Sequence, residues 1–150
     1  MNVKLRPVTQ KDWKFILDIR NQKEVRIACY DTQIIDFSTH EKYMKKLDTN
    51  PNCHQWIIVY NDKDVGQAKV DDLVLGYMLT DEYRGKGIWS NAYPLVLEEV
   101  KKIGYKKLKG TVKFDQKKQL EIALKLGFII TGDLFKDNKP VGYDMEKILQ

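Results

Sequence analysis

Apolar residues recur at a period of two in some stretches of the chain and at a helical period in others, and the two patterns divide it into elements. Val3-Lys4-Leu5-Arg6, closed by Pro7, predicts a first strand. Behind Thr9 as a cap, Trp13, Ile16, Leu17 and Arg20 fall at helical spacing and predict a helix over Gln10–Asn21. Glu24–Phe37 has a mixed pattern and reads as a loop or a short irregular helix. Ser38-Thr39-His40-Glu41 has capping-box spacing, with Ser at the cap and Glu at the third helical position, so a second helix is expected from there to about Leu47.

His54–Tyr60, Val65–Val70 and Leu73–Leu79 then read as three antiparallel strands, separated by turn chemistry at Asn61–Asp64 and at Asp71-Asp72. A glycine turn follows, and after it a helix carrying Leu95, Val96, Leu97, Val100 and Ile103 that stops at Gly104. Pro94 has no N–H and disfavours helical angles at Tyr93, which predicts a kink there or a helix that begins properly only near Pro94. A strand over Lys107–Val112, a helix over Gln116–Leu126 ended by Gly127, and two closing strands around Lys136–Pro140 complete the chain. The order predicts an α+β fold: one domain over residues 1–150, with a mixed, mostly antiparallel twisted sheet of about seven strands flanked by about four helices.

A length of 150 residues and a hydrophobic fraction of 43% fit one soluble globular domain. No apolar run approaches the roughly 20 residues of a membrane helix, and no apolar segment follows Met1, so a cytoplasmic protein without a membrane partner is expected. The formal charge of +5 and pI near 9.0 favour acidic partners such as phosphorylated small molecules. Lysines interspersed with acids along the whole chain do not make a nucleic-acid arm. Cys29 and Cys53 lie in no ligand pattern; Cys53 adjoins His54, but two ligands do not make a zinc site, and no metal is expected.

The stretch with the most chemistry is Leu75–Ser90, an apolar strand that runs into Arg84-Gly85-Lys86-Gly87 and then a helix. Gly85 and Gly87 can take angles closed to other residues, and a helix opening just after them aims unpaired N–H groups at that turn. Such a turn suits an anion, above all a diphosphate, although a strand, a turn and a surface helix with no ligand would share the same pattern.

The element order, together with Arg84-Gly85-Lys86-Gly87, resembles the GNAT superfamily of acyl-CoA-dependent N-acetyltransferases, whose pyrophosphate loop is written Q/R-x-x-G-x-G/A. The segment from Val112 through Gln116 to Ala123-Leu124-Lys125-Leu126-Gly127-Phe128 resembles the strand and helix with which the family closes in Leu-Gly-Phe. Three positions depart from the pattern. Trp89 stands at the last Gly/Ala of the loop, Gln116 where an Asn usually touches the cofactor, and Ala123 where many members carry a tyrosine that protonates the departing thiolate.

The resemblance implies direct acetyl transfer from acetyl-CoA to a primary amine of a small molecule. Cofactor contacts are then expected from Met78, Leu79, Thr80, Arg84, Gly85, Lys86, Gly87, Ile88, Trp89, Ser90 and Gln116, with the Met78–Thr80 backbone donating to the thioester oxygen. His40 is the expected base, with a capping or substrate contact as its alternative; Tyr83 is the expected acid, with Tyr77 as an alternative. Arg20, Asn21, Asp71 and Tyr77 are expected to bind substrate. Arg20-Asn21, Glu24-Val25-Arg26, Ile35, Ser38, His40, Asn50-Pro51-Asn52-Cys53, Val65-Gly66-Gln67 and Glu82-Tyr83-Arg84-Gly85-Lys86-Gly87 are similar to GNAT domains of bacterial nonulosonic-acid pathways, which implies a nucleotide-linked amino sugar as acceptor; a monomer or homodimer is expected. The same opening is shared by ribosomal-protein N-terminal acetyltransferases, and Ala123 leaves a non-catalytic CoA-binding domain as a further alternative.

Overall fold

A computed structural model describes all residues, 1–150. In chain order the elements are β1 (Val3–Pro7), α1 (Trp13–Arg20), α2 (Lys23–Ala28), α3 (Phe37–Thr49), β2 (Cys53–Tyr60), β3 (Lys63–Asp71), β4 (Val74–Leu79), α4 (Ile88–Ile103), β5 (Lys107–Lys113), α5 (Lys117–Lys125), β6 (Ile129–Lys136) and β7 (Lys139–Ile148). Single 3-10 turns over Gln10–Asp12 and Asp81–Tyr83 precede α1 and follow β4. The strands form one sheet in the order β1-β2-β3-β4-β5-β7-β6, antiparallel at every contact except β4 with β5.

Three hairpins in this sheet turn on two residues with positive φ each: Asn61 and Asp62, Asp72 and Leu73, and Asp137 and Asn138. Paired positive φ is the twist that matches the strands it joins, and Asn and Asp tolerate it better than other side chains. One face of the sheet carries α4 and α5, with Trp89, Ala92, Tyr93, Val96 and Val100 packed on Trp56, Ile58, Ala68, Val70 and Leu108. On the other face Trp13 and Ile16 of α1 and Met44 and Leu47 of α3 pack on Ile57. Arg6 fastens β1 to the entry of α1, its guanidinium bonded to both oxygens of Asp12 at 2.9 and 2.7 Å and holding that carboxyl below its ordinary pKa.

Two helix starts differ from expectation. α3 begins at Phe37 under Asp36, whose carboxylate accepts the Thr39 N–H at 2.7 Å. A charged cap one residue before Phe37 supersedes the Ser38 box and carries the helix start back with it. α4 runs unbroken from Ile88 through Pro94. Pro94 is exposed, and the carbonyl that its missing N–H would have bonded belongs to exposed Ser90 in the first turn, within reach of solvent. The stretch read as loop or irregular helix contains α2, which makes five helices where about four were expected.

Candidate active site

β4 and β5 meet only at their beginnings, where Val74 lies opposite Lys109 and the Lys109 N–H donates to Leu73 O at 2.8 Å. Beyond that point they part. Pairing with β3 fixes which way each β4 residue turns its backbone groups. The Thr80 N–H donates to Val65 O at 2.9 Å, so Thr80, Met78 and Gly76 turn toward β3. Tyr77 and Leu79 therefore turn theirs into the gap. Of the donors expected over Met78–Thr80, this alternation keeps Leu79, removes Met78 and Thr80, and adds Tyr77. By the same alternation Thr111 and Lys113 face the gap from β5. Two walls of unpaired amides suit an extended ligand that carries amides of its own, as the pantetheine arm of acetyl-CoA does. At the mouth of the gap the Thr80 hydroxyl oxygen is buried without a partner.

Just past β4, Gly85 and Gly87 take φ of 73° and 78°, and a Cβ added at either would meet nothing within 4 Å. The glycines answer to backbone conformation here, and the space in front of them is open. α4 starts immediately after, its first N–H groups aimed at the turn. Lys86 is exposed at the turn with its ammonium 5.7 Å from the Tyr83 ring centre. Arg84 is directed elsewhere, bonded to Asp81 and to the Gln22 side chain, so it braces the turn against the α1–α2 junction. Trp89 is 5% exposed and points into the core, where its ring stacks on Tyr77; it does not stand beside the phosphate turn as its position in the loop motif suggested. Gln116 caps α5, and its side-chain amide makes no hydrogen bond within the chain.

Several expected site residues are committed elsewhere. His40 is 4% exposed and bonded through Nε2 to the Trp13 carbonyl at 2.8 Å; burial lowers its pKa, and a sealed imidazole between α1 and α3 cannot serve as the base. Asp71 sits opposite Val74 at the start of β4, the far end from Leu79, which removes it from the acceptor site. Tyr83 packs edge-on against Tyr60 of β2 with ring centres 6.0 Å apart, leaning over β3 and away from the gap. Tyr77 faces α4 and α5 and not the α1 side of the sheet, so it lines the donor side of the gap. Asn21 spends its side-chain amide on both backbone groups of Ile35, at 2.8 and 2.9 Å, and thereby shapes the loop before α3. Arg20 donates Nη2 to Asp31 O at 2.9 Å and leaves Nη1 buried without a partner.

The loop after α2 brings in residues that sequence reasoning missed. Lys113 donates to Ile27 O at 2.9 Å and to Cys29 O at 3.2 Å, while Lys136 donates to Tyr30 O at 3.2 Å and lies over the Tyr30 ring. Burial together with the nearby Asp144 raises the Tyr30 pKa. Lys113 ends β5 at the open end of the gap, and a lysine closing a strand next to an expected cleft was the available signal.

The geometry has counterparts among known proteins. A spermidine N-acetyltransferase from Vibrio cholerae, solved with CoA and spermine, is similar at a TM-score of 0.86 and 15% identity over 98% of this chain and 95% of its own. A domain from Methanocaldococcus jannaschii is similar at 0.85 and 22% over 99% of each chain. A Salmonella typhimurium structure that contains its cofactor acetyl-CoA is similar at 0.79 and 14% over 100% of this chain and 95% of its own. Likeness at such identities establishes the fold. No curated protein matches the chain in sequence. The model of the acetyltransferase (GNAT) domain family matches residues 2–129, which span the parted strands, the glycine turn and α5, and the chain therefore belongs to the GNAT acetyltransferases, enzymes that take their acyl group from acetyl-CoA.

Proposed function

We propose that this N-acetyltransferase acetylates a primary amine on a small molecule that also carries acidic groups, of which a nucleotide-linked amino sugar is the best fit. The observation that supports this reading is the convergence of Arg20, Arg26, Lys113 and Lys136 on residues 27–32 beside the open end of the gap. Arg20 and Lys136 spend one donor each on a backbone carbonyl, Arg26 and Lys113 two each, and all four keep others for a ligand. A polyamine acceptor would meet these four cations there, with the carboxylates of Asp31 and Asp144 set against them.

The chemistry follows from the backbone. The Leu79 N–H stabilises negative charge on the thioester oxygen as the amine attacks, and the Tyr77 N–H, two residues back along the strand, is left for an amide of the pantetheine arm. The glycine turn and the start of α4, with Lys86, fix the diphosphate and so the position of the reacting carbon. A cytoplasmic setting is in keeping with two unpaired cysteines, Cys29 and Cys53.

Thiol release from acetyl-CoA over a panel of acceptors tests the reading: a nucleotide-linked amino sugar, the same sugar without its nucleotide, spermidine, and a peptide with a free N-terminus. The nucleotide sugar is expected to give the highest kcat/KM, falling with added salt. Higher kcat/KM on spermidine or on the peptide overturns it.

A further inference from the structure

We propose that the Tyr77 hydroxyl donates the proton to the departing thiolate, the role left without a holder by Ala123. Tyr77 has its backbone N–H at the edge of the gap and its ring on the face of the sheet that carries α4 and α5. The ring is fixed on one side by Trp89, 3.9 Å between centres and 8° from parallel. Its hydroxyl donates to Gln119 Oε1 at 2.8 Å, so the phenol spans from β4 to α5. Gln119 and Ala123 are four residues apart on α5, on one face and about one 5.4 Å turn from each other. The hydroxyl from β4 thus reaches the helix face on which the usual tyrosine would stand.

Two other tyrosines packed on that face are directed elsewhere. Tyr83 turns away toward Tyr60, and the Tyr93 hydroxyl is directed to Leu126 O at 3.3 Å. Burial pushes the Tyr77 pKa up to about 12, which keeps the phenol protonated across the working range. The same dry surroundings raise the basicity of the thiolate it would serve.

As the amine nitrogen bonds to the acetyl carbon, the carbon–sulfur bond breaks and its electron pair stays on sulfur. Rotation about the phenol C–O bond turns the Tyr77 proton from Gln119 to that sulfur. The phenolate regains a proton from the acetylated amine through solvent, and the products are the amide and the free thiol.

Tyr77→Phe keeps the ring on Trp89 and removes the hydroxyl. It is expected to lower kcat about 100-fold, the low end for a positioned proton donor, with KM for acetyl-CoA changed less than about threefold. With an acetyl thioester of a more acidic thiol, which leaves without help, the deficit should shrink below about tenfold. An unchanged kcat, or an equal deficit with both thioesters, overturns the proposal. Gln119→Glu is the second variant, because its carboxylate holds the phenol proton and opposes the charge on sulfur. It is expected to lose at least tenfold in kcat at neutral pH and to recover as the carboxylate is protonated; full activity at neutral pH overturns the proposal as well.

Discussion

The indole of Trp89 lies flat against the phenol of Tyr77, ring centres 3.9 Å apart and planes 8° from parallel. This contact joins the first turn of α4, the proposed seat of the diphosphate, to the strand whose unpaired amides line the gap. It also explains why a large ring is accepted at a loop position that usually carries a small residue: the side chain is core. Trp89→Ala opens a cavity at a site 5% exposed and is expected to destabilise the protein by about 3–5 kcal/mol, whereas Trp89→Phe keeps a ring on Tyr77 and costs markedly less. Urea unfolding of the two variants measures the difference.

Gly87 and Gly66 differ in what a methyl group would do. At Gly87 the added Cβ meets nothing, and the penalty is the φ of 78°, about 1–2 kcal/mol. At Gly66 it falls 2.3 Å from Met78 O, a backbone atom of the neighbouring strand that has no room to yield. Gly87→Ala is therefore expected to fold and to raise KM for acetyl-CoA at least tenfold with a smaller change in kcat, because the turn proposed to cradle the diphosphate is reshaped. Gly66→Ala is expected to lower stability by more than Gly87→Ala does. Thermal unfolding and steady-state kinetics on both variants separate the two effects.

The sheet was largely legible because its turns announce themselves. Asn61-Asp62 and Asp137-Asn138 are side chains suited to positive φ, set between strands of alternating pattern. The glycine turn before α4 was legible for the same reason, since two glycines just before an amphipathic helix state both a conformation and a direction. What sequence could not supply was which strand each β4 amide faces. That depends on the Thr80 bond to Val65, and it decides between Leu79 and its neighbours. His40 was misread because a histidine's ordinary titration range carries no information about burial, and the ring turns inward below its cap; Asp71 was misread because it lies at the wrong end of β4. Lys113 and Lys136 reach a loop more than eighty positions earlier, a distance that no local pattern spans.

His40 gives the protein a pH dependence with a definite sign. Its folded pKa lies below the ordinary 6.5 because burial disfavours the charged ring, more than the bond to Trp13 O favours it. The unfolded chain then binds the proton more readily than the folded one. Stability from this group is full above about pH 6.5 and is lost as pH falls toward the folded pKa, by at most about 1.4 kcal/mol per pH unit. His40→Gln, which retains an N–H for the Trp13 carbonyl, is expected to flatten the urea midpoint between pH 6.5 and 5. Because His40 is sealed from solvent, the same variant should keep the wild-type pH profile of kcat; a lost limb in that profile would return His40 to the chemistry.

Asn21 holds the loop before α3 by a two-way bond, donating Nδ2–H to Ile35 O at 2.8 Å and accepting the Ile35 N–H at 2.9 Å. Its own carbonyl accepts from Arg26 Nε at 3.0 Å, so one residue ties the end of α1 to both α2 and the segment before α3. Asn21→Ala leaves both groups of a half-buried Ile35 without partners and is expected to cost about 1–3 kcal/mol. Asn21→Asp keeps the acceptor but sets a carboxylate against the Ile35 carbonyl, so it should cost at least as much at neutral pH and less under acid conditions, where the side chain regains a proton to donate. In both variants KM for the acceptor is expected to rise several-fold while KM for acetyl-CoA holds, since the donor amides of Tyr77 and Leu79 are fixed by β3 and not by this loop. Measuring the two KM values side by side checks the assignment: a rise confined to acetyl-CoA would place Asn21 on the donor side of the gap.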